Sequence, residues 1–143
     1  MKIQKLAIAA VVSTVFLWLI DYLWYVVLMA DKMTPIPNAR PMPDMMILVL
    51  SYLIFSVAFV YIYGKGAEEG TKVSQGMKYG IWVTLLVSLS MGLMWYSLTT
   101  SPPLSQHLTE AVYGLVKYII LGILVAYLTG IPGGTRDGKG GTG

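Results

Sequence analysis

Four apolar stretches, at about 6–30, 45–63, 79–99 and 111–129, take up most of this 143-residue chain. Each is close to the ~20 residues with which an α-helix, rising ~1.5 Å per residue, crosses a hydrocarbon layer ~30 Å thick. Inside such a layer no water satisfies backbone N–H and C=O groups, so each stretch has to bond within itself as a helix, and four segments are too few to close a barrel. The expected fold is all-α: a polytopic membrane protein whose four transmembrane helices form one bundle within 1–130, followed by a flexible Gly-rich tail at 131–143.

The first stretch follows Met1-Lys2-Ile3-Gln4-Lys5, which a secretory signal also resembles. A signal's apolar region spans ~7–15 residues, whereas this one continues through Trp18, Tyr22, Trp24 and Tyr25, so it reads as a retained span. With no cysteine in the chain, disulfides, thiolate metal sites and a cysteine nucleophile are excluded. The net charge of +3 comes from basic residues scattered over helix ends and loops; they form no continuous patch, and no nucleic-acid partner is expected.

Those basic residues set the orientation. Lys2, Lys5, Lys65, Lys72, Lys78, Arg136 and Lys139 fall on one side of the membrane and only Lys32 and Arg40 on the other. The positive-inside rule then puts both termini in the cytoplasm, in a multi-pass protein of the bacterial inner membrane. On the outer side, Pro35, Pro37, Pro41 and Pro43 stiffen the first loop, and Pro102-Pro103 shortens the second. Trp24-Tyr25 and Trp95-Tyr96 sit near the outer ends of the odd helices, and Tyr61 to Gly64 and Tyr127 to Gly130 close the even ones. These positions fit a two-plus-two helical repeat; interfacial aromatic belts, which any membrane protein has, are the alternative explanation.

Helix three carries Gly76, Gly80, Thr84, Ser88 and Gly92 at four-residue spacing, a stripe of small side chains along which another backbone can approach. Gly114 and Gly122 on helix four offer a matching face. Packing inside the bundle and packing between protomers are both open to it.

Asp21 and Lys117 are the two ionisable residues well inside the apolar stretches, where an unpaired charge costs several kcal/mol. Asp21 lies eight residues before Met29 and Lys117 eight after Thr109, each near the outer end of its helix and ~12 Å deep, so an intramembrane ion pair is expected between them. Such a pair serves either to fix helix register or as a proton- or ion-coupled site. Thr14, Trp18, Asp21 and Tyr25 share one helical face, and Tyr113 lies one turn before Lys117.

Met42, Met45 and Met46 cluster around the first outer loop, with His107 expected on the same side. Thioethers with an imidazole can hold Cu(I), but methionine is also a flexible filler of membrane contacts and His107 reads as a solvated loop residue, so no metal and no cofactor are expected. Gly66 to Lys72 lacks the Gly-Lys-Ser/Thr order of a phosphate loop and reads as a cytoplasmic turn. Neither a Ser/His/Asp set nor HExxH occurs, and an enzyme is not expected.

Leu23-Trp24-Tyr25, Gly92 to Tyr96, and Gly114 to Tyr118 with Gly122 resemble the pattern of uncharacterised four-helix bacterial inner-membrane proteins, the domain-of-unknown-function type, over most of residues 5–130. That resemblance implies the topology and transfers no site; Lys117 departs from it, where a neutral or acidic residue is expected. Small multidrug exporters are similar in having four short helices and a carboxylate in the first, a likeness of architecture alone. The leading expectation is a non-enzymatic integral membrane protein acting through helix–helix contacts, as a homo-oligomer or an accessory subunit of a membrane complex. Its partners are then the lipid bilayer and other membrane subunits or itself. The alternative is a small proton- or cation-coupled transporter using Asp21 and Lys117.

Overall fold

The computed structural model describes residues 2–133; the tail beyond, with Arg136 and Lys139, lies outside the described residues. Four helices long and apolar enough to cross a membrane account for most of it: helix one (Ile3–Leu28), helix two (Met45–Gly66), helix three (Lys72–Leu98) and helix four (Leu104–Thr129). Helices three and four begin at Lys72 and Leu104, where hydropathy placed their starts near 79 and 111. The added turns are polar, and helix formation there is set by local bonding rather than by lipid. Thr71 accepts from the Ser74 amide at 3.0 Å to cap helix three, and Asp44 does the same for helix two through the Ile47 amide at 3.2 Å. Pro103 is the N-cap of helix four, with the Gln106 amide bonded to the Pro103 carbonyl at 3.0 Å. Gly130, at φ 70°, ends it in the left-handed conformation that a Cβ disfavours.

Both described ends lie on one side of the bundle, where Tyr63 Oη donates to the Ile131 carbonyl at 2.6 Å. This is the terminal side; the 29–44 and 99–103 loops mark the loop side. Helix four is the hub, packing on helices one, two and three, while helix one also packs on helix two.

The stripe on helix three faces helix four. A methyl group added at Gly76 would lie 2.5 Å from Ile123 N, and one at Gly80 2.5 Å from Ile119 Cα. Thr84 Oγ1 donates to the carbonyls of Gly80 at 2.8 Å and Gly114 at 3.2 Å, and Ser88 packs on Gly114. Gly92 is looser: its added methyl would meet His107 Cβ at 3.6 Å. In a straight α-helix, positions four residues apart drift by ~40° per step, so this stripe would swing ~160° from Gly76 to Gly92. Thr84–Leu89 is wound instead as a wider π-type turn. A π turn rotates less per residue, which steers the stripe back toward helix four.

The apolar core is confined to the terminal half. Leu17, Val60, Tyr63, Leu121, Val125 and Ala126 are essentially inaccessible, and Phe59, Val83 and Tyr118 join them. Toward the loops, Tyr113 is the one large apolar side chain buried among the described residues. What holds the helices together there is polar.

Candidate functional site

Three helices converge on Asp21. Its Oδ2 accepts from Tyr52 Oη of helix two at 2.6 Å. Its Oδ1 accepts from Lys117 Nζ of helix four at 3.1 Å and from Tyr113 Oη. The charged side chains are 13% and 11% exposed, so both are largely withdrawn from the surroundings. Lys117 Nζ also lies over the rings of Tyr113 and Tyr118, 4.9 Å from each centroid, where the π faces offset part of its lost hydration. Every neighbour bonded to the carboxylate donates and the ammonium is paired, the condition under which buried charge is tolerated.

Helix direction closes this contact. Lys117 lies thirteen residues from Leu104, so with the earlier helix start it sits ~20 Å from the loop-side end rather than the expected ~12 Å; Asp21 is seven residues, ~10 Å, from Leu28. Side chains lean toward the N-terminus of their own helix. Helices one and four run in opposite directions, so Asp21 leans away from the loops and the long Lys117 stem toward them, and the two meet between their backbones.

Toward the loops the polar contacts continue along one stripe of helix four. Tyr25 Oη donates to Glu110 Oε2 at 2.6 Å, and Gln106 Oε1 accepts from the Thr34 amide at 2.8 Å, tying the first loop down. Gln106, Glu110, Tyr113 and Lys117 are spaced four, three and four apart, the spacing of one helix face. Trp24 lies flat on Tyr113, with centroids 4.3 Å apart, and Tyr25 meets the same ring edge-on at 6.0 Å. The π-type turn at Leu23–Leu28 carries both aromatic residues against helix four. Trp18 stacks on Tyr22 at 5.7 Å and Thr14 bonds the Ala10 carbonyl, so neither joins the bonds around Asp21. Toward the termini, Ser56 and Ser13 are fully buried with no hydrogen-bond partner for either hydroxyl among the described residues.

Tyr52, Glu110 and Gln106 escaped sequence reasoning. For Glu110 and Gln106 the signal was present in the spacing to Lys117, hidden because 100–110 reads as a loop; Tyr52 stands in an apolar run with nothing to mark its partner.

Of the remaining candidates, Gly80, Thr84, Ser88 and Gly92 are spent on contacts within the chain. Met42 and Met46 are 76% and 84% exposed, and Met45 is exposed as well. His107 is not a solvated loop residue: it lies in helix four, its ring edge-on to Tyr96 at 6.3 Å and its Nε2 buried. Its neighbours on helix three are Tyr96 and Gly92. Among the described residues, no three His, Cys, Asp or Glu side chains are grouped to hold a metal ion. No family model matches the chain, and neither a curated protein nor a solved structure is found to be similar to it.

Proposed function

We propose that this is a non-enzymatic, proton- or cation-coupled protein of the bacterial inner membrane, with both termini cytoplasmic and Asp21 as the ion-binding carboxylate. Lys117 is its internal counter-charge. The observation that carries this reading is the run of bonded polar groups from the loop-side surface to mid-span: Gln106 with Thr34, Glu110 with Tyr25, then Tyr113, Tyr52 and Lys117 on Asp21. Ionisable groups inside a membrane cost several kcal/mol each unless compensated and commonly mark ion pathways. In the resting arrangement Lys117 fills the cation's place. A proton arriving on Asp21 neutralises the carboxylate and frees the ammonium to swing on its flexible stem toward the Tyr118 ring that it already overlies. A metal cation acts through the same exchange, displacing Nζ from Oδ1.

The reading as a homo-oligomer or accessory subunit drew on the small-residue stripe, and helix four occupies that stripe. The stripe thus lends that reading no support, and the polar contacts around Asp21 favour transport of the two.

The test is flux through reconstituted vesicles: under an imposed potassium diffusion potential with an internal pH dye or a sodium dye, and under a potassium gradient without ionophore with a potassium dye. Wild-type protein should carry one of these ions at least about tenfold faster than Asp21→Asn protein of unchanged helicity. Wild-type flux equal to that of protein-free vesicles for all three ions would leave the pair as a clamp on helix register and end the transport reading.

A further inference from the structure

Helices two and three leave a groove between them on the terminal side. Its mouth, about 500 Å³, is bordered by the polar side chains of Glu68, Gln75 and Lys78, and by Tyr79 and Trp82. A second cleft of about 200 Å³ lies deeper, between Phe55, Ala58 and Phe59 on one wall and Val83 and Leu86 on the other. Ile62, Tyr79 and Trp82 border both, so a polar cleft and an apolar one adjoin along the same groove. From Lys78 to Val87 it climbs ~13 Å along helix three, the direction an acyl chain takes in a leaflet. Tyr79 fixes the floor by donating to the Phe59 carbonyl at 2.9 Å.

The mouth is built. Gln75, 7% exposed, accepts from the Glu68 amide at 3.1 Å and donates to the Glu69 carbonyl at 3.2 Å, folding the 67–71 loop back over helix three. This places one carboxylate and one ammonium, Glu68 and Lys78, on the rim. Asp21–Lys117 is the salt bridge among the described residues, so neither rim charge is neutralised by the other or by a described neighbour. Lys78 suits a phosphate. Glu68 on the same rim opposes a purely anionic headgroup and suits an ammonium.

We propose that this groove binds one phospholipid with a phosphoethanolamine headgroup, its phosphate at Lys78, its primary ammonium at Glu68 and an acyl chain against Phe55 and Phe59. A rim of two opposite charges matches a headgroup of two opposite charges, and an ammonium with N–H groups donates hydrogen bonds to a carboxylate where a trimethylammonium has none. The apolar end is lined by Phe55, Phe59, Val83 and Leu86 and suits an acyl chain, which a water-soluble zwitterion lacks.

Trp82, 69% exposed on the shared wall, reports occupancy. In a protein with Trp18, Trp24 and Trp95 changed to Phe, Trp82 fluorescence is measured in bilayers of phosphatidylethanolamine, phosphatidylcholine and phosphatidylglycerol as the mole fraction of one of the three, brominated on its acyl chain, is raised. Brominated phosphatidylethanolamine should quench at a mole fraction at least about threefold lower than phosphatidylcholine or phosphatidylglycerol does. Glu68→Gln and Lys78→Gln, both exposed positions, should each abolish the preference with the helical spectrum unchanged. Equal quenching by the three lipids would reduce the groove to ordinary boundary-lipid contact and overturn the proposal. A preference for phosphatidylglycerol would overturn it too, by showing an anion site.

Discussion

Gly76 and Gly122 meet backbone to backbone across helices three and four: a methyl group on Gly76 would come within 2.6 Å of the Gly122 carbonyl, and one on Gly122 would strike the Gly76 carbonyl. Neither partner is the end of a flexible side chain, so neither can give way without moving a helix. Gly76→Ala and Gly80→Ala should each destabilise the protein by about 2 kcal/mol or more, as overpacking does in a close-packed interior. Gly92→Ala, which would meet His107 at ordinary contact distance, should stay within about 0.5 kcal/mol. Titration with denaturing detergent, followed by circular dichroism, ranks the three. Equal tolerance at all of them would refute the packing described.

Breaking the Asp21–Lys117 pair from either side strands a buried charge. Asp21→Asn and Lys117→Met should each cost about 3 kcal/mol, and the double variant should cost less than the sum by about 1–3 kcal/mol. The same detergent titration supplies all four corners of the cycle; additive losses would mean that the two charges are solvated independently.

How much of this arrangement could be read beforehand varied with the kind of force involved. The spans were legible because lipid imposes length and apolarity on every residue of a crossing helix. The starts of helices three and four were not, because Thr71 and Pro103 initiate them in polar sequence where hydropathy carries no signal. Asp21 and Lys117 stood out by charge alone. Tyr52 did not, since one hydroxyl in an apolar stretch looks the same whether it faces a carboxylate or the interface. The stripe was visible as spacing, but the four-residue repeat could not show that Thr84–Leu89 is underwound and keeps it trained on helix four.

The first loop is tied to helix four by the bond between the Thr34 amide and Gln106. Gln106→Ala should release it, raising the rate of cleavage after Lys32 by trypsin added on the loop side several-fold in intact bilayers; Arg40, which precedes Pro41, is not a tryptic site. An unchanged cleavage rate would show that the four prolines alone hold the loop.

Ser13 and Ser56 bury hydroxyls that bond to nothing described, and an unsatisfied buried donor costs ~1–3 kcal/mol. Ser56→Ala and Ser13→Ala should therefore leave stability unchanged or raise it by about 1 kcal/mol. A loss of stability in either variant would reveal that its hydroxyl has a partner.

The confinement of the apolar core to one half of the bundle gives the molecule the mechanics of a clamped beam. Helix one is held by apolar packing at Leu17 and below, and the arm beyond, to Leu28, is ~16 Å long and held by polar and aromatic contacts. A tilt of ~10° about that grip carries the tip ~3 Å sideways but Asp21, a single turn above Leu17, only ~1 Å. The Tyr25–Glu110 bond at the far end of the arm is thus the first to part, and the carboxylate is the last group to lose its partners. Outward motion of helix one uncovers the site in a fixed order, from the rim to the charge.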